Sequence, residues 1–129
     1  MWNFFDLARQ LGLPVFEDFN QAPESPGYYM LFGENGHFIY MGKATNLRGR
    51  IAQHFSIREP NIRIRQFAKY VYWHTTNSIA EAEQSEGEVF DRWVRATGEY
   101  PLANEIQPPQ ATVTPEEMLR IKIRNLLNR

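Results

Sequence analysis

Hydrophobic and polar positions change period several times along the 129 residues, and each change marks an element. Residues 3–11 carry a short amphipathic helical pattern that Gly12 and Pro14 stop. The proline-rich stretch 14–26 reads as a loop. Two aromatic and β-branched runs follow, 27–33 (GYYMLFG) and 37–41 (HFIYM), either side of Glu34-Asn35-Gly36, which is a hairpin signal. A helix is predicted from Thr45 to Phe55, with Thr45 or Asn46 as its N-cap, then a shorter one over 60–68 and a third strand over 69–75 (KYVYWHT). Ser78 and Glu81 form a capping box that opens a helix running to Ala96, and Gly98 stops it. After the linker at Pro108-Pro109, Thr114-Pro115-Glu116-Glu117 is a second capping box with Pro at the first helical position. The C-terminal helix it opens has Leu119, Ile123, Leu126 and Leu127 along one side, which should pack on the domain or on a second copy. Arg120, Lys122, Arg124 and Arg129 would then face outward.

These elements predict an α+β fold, a small antiparallel sheet of about three strands flanked by helices. They divide the chain into an N-terminal helix and loop (1–25), a central domain (26–107), and a linker with an amphipathic C-terminal helix (108–129).

Composition narrows the chemistry. Apolar residues at 43% and aromatics at 14% give a globular chain of one domain's length. With no cysteine, disulfides, thiolate zinc sites and cysteine nucleophiles are excluded. No apolar run approaches a membrane span. Asp6 and Arg9 interrupt the apolar N-terminus, which makes a poor signal peptide, so a cytoplasmic location is expected. A net charge of −1 by itself argues against a nucleic-acid binder, but the distribution of charge matters more than the sum. Seven of the 14 basic residues lie between Lys43 and Lys69 against a single acid, Glu59, while five acids and no base lie between Glu81 and Asp91. Such a pattern is either two solvated faces or a phosphate-facing surface beside a metal-binding carboxylate.

Three local constellations could carry chemistry. On a helical wheel, Ile79, Ala82, Val89, Phe90, Trp93 and Val94 share one side of the helix from Ser78, and Glu86 falls near the centre of that stripe. Glu83 lies off the stripe, and Glu81 and Glu88 point away. A carboxylate on a core-facing stripe must be paired or functional, so Glu86 is either a salt-bridge partner or a metal ligand or catalytic acid. In the hairpin, alternation sends Tyr28 and Tyr29 to opposite faces. In the helix after it, Arg50 and His54 are four apart and flank one another, an arrangement suited to phosphate binding beside a proton-transfer group.

Taken together, the three pieces resemble a known family. Gly27-Tyr28-Tyr29, ten residues, then Tyr40-Met41-Gly42 is similar to the paired motif of the GIY-YIG nuclease superfamily. The segment Lys43-Ala44-Thr45-Asn46-Leu47-Arg48-Gly49-Arg50 looks like the one that follows it in the N-terminal nuclease domain of excision-repair UvrC proteins. The motifs here read GYY and YMG, keeping the Gly and Tyr positions.

This resemblance implies a catalytic Arg50, a supporting His54, a metal-binding Glu86, and a positioning Asn104 in the closing Pro101-Leu102-Ala103-Asn104. It implies one Mg²⁺ or Mn²⁺ on Glu86, DNA as the partner, and Lys43 and Arg48 on the substrate. Tyr29 would serve as general base with Tyr40 and His54 in support, the division among the three being open. The base role calls for a lowered phenol pKa, for which Lys43, Arg50 and the metal supply positive charge. The alternatives are an inactive nucleic-acid-binding module on the same fold, or an interaction domain that docks a partner or a second copy through its C-terminal helix.

Overall fold

The computed structural model describes residues 19–34, 36–104 and 107–128. The helix expected over 3–11, residues 14–18 of the expected loop, Asn35 of the turn and Arg129 lie outside the described residues.

The hairpin forms as its turn signal dictates. Strands β1 (Gly27–Phe32) and β2 (Phe38–Ala44) pair antiparallel, and β3 (Tyr70–Thr75) pairs with the other side of β1, giving the order β2-β1-β3. Four helices are described: α1 (Leu47–His54), α2 (Ile62–Phe67), α3 (Ile79–Thr97) and α4 (Pro115–Leu127). A 3-10 turn, Phe19–Gln21, occupies part of the expected loop. Side-chain caps start every helix: Asn46 rather than Thr45 on α1, Asn61 on α2, Ser78 on α3 and Thr114 on α4. Gly98 ends α3 in the left-handed conformation at φ 75°.

Strand alternation builds two cores, one on each face of the sheet. Met30, Phe32, Phe38, Met41 and Tyr72 meet Phe90 and Val94 of α3. Tyr29, Leu31, Ile39 and Val71 meet Leu47, Ile51 and Ile64 from α1 and α2. A bulge breaks the simple alternation of β2. Leu31 pairs with Tyr40 but Phe32 pairs with Phe38, so Ile39 is an extra residue. Phe38 thereby stays in the α3 core while Ile39 and Tyr40 both turn to the face that carries Tyr29.

The C-terminal helix removes one of the two arrangements expected for it. Leu119, Ile123, Leu126 and Leu127 are 49–78% exposed and do not pack on the domain, whereas Ile121 is buried. The rotation of α4 is set by what precedes it. Buried Asp91 on α3 accepts from the backbone N–H groups of Thr112 and Val113 and from the Thr112 hydroxyl, at 2.8–3.0 Å. Arg95 then pairs with Glu117 at 2.8 Å, and Asn125 donates to the Thr97 carbonyl. These polar ties present Met118, Ile121 and Asn125 to α3, and leave the apolar stripe outside. Arg120, Lys122 and Arg124 are exposed, as expected.

Gly87 lets the segment before α4 lie against α3. A Cβ there would meet the Gln110 backbone carbonyl carbon at 2.6 Å, a clash with main chain that no rotamer relieves. Residues 107–113 are thus a strap seated on Gly87 and held by Asp91. Burial would raise the Asp91 carboxyl, but the Val113 and Thr112 donors and Arg95 outweigh it and hold it below its usual 3.8. Its stabilisation is therefore present above that value and lost as pH falls through the lower folded one. Asp91→Asn should cost about 1–3 kcal/mol at pH 7, because an amide has one acceptor oxygen for three donors. Thermal melts of the two proteins should converge as pH falls below 4, and equal Tm values at pH 7 would show that Asp91 does not hold the strap.

Candidate active site

Six of the residues singled out from sequence come together at the edge strand β2. A cavity of about 530 Å³ is lined by Tyr29, Tyr40, Lys43, Arg50, Glu86 and Asn104, with Met41, Gly42, Pro60, Asn61, Ala103 and strap residues 107–109 around them. Tyr29 reaches it because Gly42 has no side chain: a Cβ there would stand 2.5 Å from the Tyr29 hydroxyl. The bulge at Ile39 brings Tyr40 to the same side, its ring centroid 6.3 Å from that of Tyr29.

Glu86 is not the salt-bridge partner that the wheel allowed. It is buried (4% exposed), and among the described residues its carboxylate has no hydrogen bond or ion pair. Its neighbour Glu83 is the one that is ion-paired, to Lys43 at 3.0 Å. Burial pushes the Glu86 carboxyl up to about 7, against the pull of Lys43 and with Glu83 adding to the rise. An unpaired buried carboxylate facing a polar cavity is costly unless a cation completes it. Among the described residues no cluster of three or more His, Cys, Asp or Glu forms a protein cage. One carboxylate, with water and phosphate oxygens as the other ligands, fits Mg²⁺ or Mn²⁺.

His54 does not line the cavity; it stands behind Tyr29. The Tyr29 hydroxyl lies 2.6 Å from His54 Nε2, and His54 Nδ1 lies 2.9 Å from Glu59 Oε2. Glu59 is buried and its other oxygen accepts from the Asn61 backbone N–H. A carboxylate can only accept, so Nδ1 carries the imidazole hydrogen and Nε2 accepts from Tyr29. Burial lowers the His54 pKa, which Glu59 opposes and Arg50 assists. The neutral ring is the form this arrangement holds.

The lowering of the Tyr29 pKa that the base role calls for is absent from the metal-free chain. Tyr29 is fully buried, and burial drives its phenol up; Tyr40 and Glu86 add to the rise, and the Arg50 guanidinium opposes it without cancelling it. Tyr40 is raised as well, again first by burial. Without a metal, the Arg50 charge therefore does not offset burial.

Two further residues differ in placement. Arg48 is not brought to the cavity: its Nε donates to the Ala22 carbonyl at 2.8 Å and pins the 3-10 turn. Asn104 lines the cavity, but both ends of its amide are taken by Met41, whose N–H donates to Oδ1 and whose carbonyl accepts from Nδ2. Sequence reasoning passed over Glu59 and the strap. The signal for Glu59 was there, as the one acid in a run of seven bases.

The three-stranded sheet gathers two tyrosines, an arginine and a glutamate into one cavity, the set that the resemblance to GIY-YIG nucleases implies. The pattern of the UvrC-like GIY-YIG domain matches residues 25–90, and the chain belongs to that family. UvrABC system protein C of Neisseria gonorrhoeae is 36% identical over 75 residues, which are 57% of this chain and 12% of the relative. Its counterpart in Caldicellulosiruptor saccharolyticus is 39% identical over 59 residues, 46% of this chain and 10% of the relative. The chain thus spans about an eighth or less of the length of these relatives. The N-terminal endonuclease domain of UvrC from Thermotoga maritima, bound to magnesium as its catalytic divalent cation, superposes with a TM-score of 0.54 at 25% identity. That match covers 67% of this chain and 90% of the domain. Among the described residues no helix is long and apolar enough to cross a membrane.

Proposed function

We propose that the protein hydrolyses DNA phosphodiester bonds, with DNA repair as the setting its relatives' names suggest. The observation that carries this reading is the convergence on one cavity of Tyr29, Tyr40, Arg50 and a buried Glu86 with no partner among the described residues. Glu86 would hold one Mg²⁺ or Mn²⁺, which when bound polarises the phosphate and eases deprotonation of the attacking water. Arg50 grips the non-bridging phosphate oxygens with its planar fork and meets the charge that grows on them. Tyr29 takes the proton from the attacking water, and Lys43, held by Glu83, faces the substrate from β2. Asn104 keeps β2 in place beneath these groups.

The basic segment supplies the surface for the rest of the DNA. Arg58, Arg63 and Arg65 are exposed, while Glu59 is turned inward to His54, so the outer face of residues 55–69 presents no acid. The test is incubation of the protein with plasmid, branched and single-stranded DNA, with and without Mn²⁺. Cleavage should require the metal. Arg50→Ala should lower both rate and DNA affinity, since it removes a transition-state contact and a phosphate contact. Metal-independent cleavage would refute the metal role of Glu86, and DNA binding without cleavage of any substrate would turn the reading to the inactive binding module.

The outward stripe of α4, Leu119, Ile123, Leu126 and Leu127, favours a second role alongside this one. It suits contact with a second copy or a partner protein, read out by mass in solution with and without residues 112–129.

A further inference from the structure

The geometry points to Glu59 as a positioning residue of the hydrolysis, the last member of a buried Tyr29–His54–Glu59 proton path that lets a neutral tyrosine act as base. The inference rests on the nuclease reading and supplies what that reading lacks, a destination for the Tyr29 proton.

The need comes from the phenol. Tyr29 lies fully buried under the cavity floor, and an ionised phenol there is disfavoured. A neutral phenol is a poor base by itself. It becomes a competent one if its own proton leaves as the proton of water arrives. His54 Nε2 stands 2.6 Å from the hydroxyl, ready to accept. The imidazolium that forms is buried, so it needs a charge partner that is already in place. Glu59 Oε2, 2.9 Å from Nδ1, is that partner. The carboxylate is itself fixed through its other oxygen by the Asn61 backbone N–H, and Asn61 is fixed by capping α2 and by donating to the Ala103 carbonyl. Among the described residues, the titratable and charged groups facing His54 are Tyr29 from β1, Tyr40 from β2, Arg50 one turn earlier in α1, and Glu59. Of these only Glu59 is an acid and only Glu59 pairs with Nδ1.

The step balances. The attacking water loses one O–H bond as its oxygen bonds to phosphorus. Its proton goes to the Tyr29 oxygen while the Tyr29 proton goes to His54 Nε2. The opposite P–O bond breaks with its electron pair on the departing alkoxide, which takes a proton from solvent water. His54 then returns its proton through Tyr29 to solvent. Glu59 accepts a hydrogen bond throughout and is never protonated. This is positioning and charge stabilisation of the kind in which the third group orients the imidazole and steadies its cation.

Two measurements test it. ¹⁵N NMR of the full metal-free chain reads the His54 tautomer without any DNA; hydrogen on Nδ1 is expected, and hydrogen on Nε2 overturns the path. Kinetics then separate positioning from simple structural support. Glu59→Gln keeps the size and an acceptor but not the charge, and should lower kcat by about 10- to 100-fold. With the carboxylate gone His54 becomes less basic, so the acidic limb of the rate profile should move to lower pH. In a His54→Gln background the same change should cost less than about threefold, since residues acting as a unit are not additive. Independent, additive losses with an unmoved pH limb overturn the path while leaving the nuclease reading intact. A wild-type protein that cuts no DNA overturns the nuclease reading, and the tautomer then decides the pairing by itself.

Discussion

Glu86→Gln is expected to abolish cleavage, by at least about two to three orders of magnitude, while DNA binding survives or tightens. Gln cannot hold the cation, so phosphate polarisation and water activation are lost together. Removing a negative group beside the scissile phosphate also removes a repulsion. Glu83→Gln is the control: its carboxylate only pairs with Lys43 at the half-exposed rim, and its loss should cost little. The same substitution has a readout that needs no DNA. In the metal-free chain burial pushes the Glu86 carboxyl up to about 7, so the folded state holds that proton more tightly than the unfolded state does. The stability this contributes is full below the unfolded value of 4.5 and is lost as pH rises through about 7. Gln does not ionise. Metal-free Glu86→Gln should therefore exceed the wild type by about 1–3 kcal/mol at pH 8 and match it near pH 4. Mg²⁺ should raise the Tm of the wild type at pH 8 and not that of the variant. A variant that nicks DNA at the wild-type rate in Mg²⁺ would refute the assignment.

Tyr29→Phe should reduce kcat by about 10²- to 10⁴-fold, the range of a lost general base. The ring stays, so the packing of the α1–α2 face is kept. What goes is the hydroxyl against His54, leaving Nε2 without a donor at a cost of about 1–2 kcal/mol. Tyr40→Phe should be milder. Tyr40 is only partly buried and lies 5.2 Å, centroid to centroid, from His54, and no hydrogen bond joins the two. Steady-state rates on one DNA substrate separate the two tyrosines. If Tyr40→Phe is dead and Tyr29→Phe is not, the roles are reversed.

Much of this was legible because local signals were strong and agreed. The turn between two alternating aromatic runs fixed the hairpin, and Ser78 and Thr114 marked their helices through hydrogen bonds made within one turn. Glu86 stood out because a charge on an apolar stripe has few stable explanations. The rotation of α4 was not legible, since the groups that set it, Asp91 and Arg95, lie on another helix. Whether the stripe Leu119–Ile123–Leu126–Leu127 would meet the domain or a second copy stayed open, because amphipathicity shows where apolar residues gather and not which neighbour turns them. The direction of the Tyr29 pKa in the metal-free chain was not legible for a related reason. Nearby charge can be inferred from sequence, but burial depends on everything packed above the residue. Glu59 hid because its partner His54 is five residues away, across the end of a helix.

The loop that carries Asn104 has a consequence for the solubility of the chain. β2 is an outer strand of the sheet, and such a strand offers a row of unpaired backbone groups to any other chain. Leu102 and Ala103 donate to the carbonyls of Phe38 and Ile39, and the Asn104 amide then meets both backbone groups of Met41 as a neighbouring strand would. Four bonds thus occupy the edge along which identical copies would otherwise stack into aggregates. The strand that presents Tyr40 and Lys43 to the substrate is shielded from self-association by the same short loop that shapes the cavity beside it.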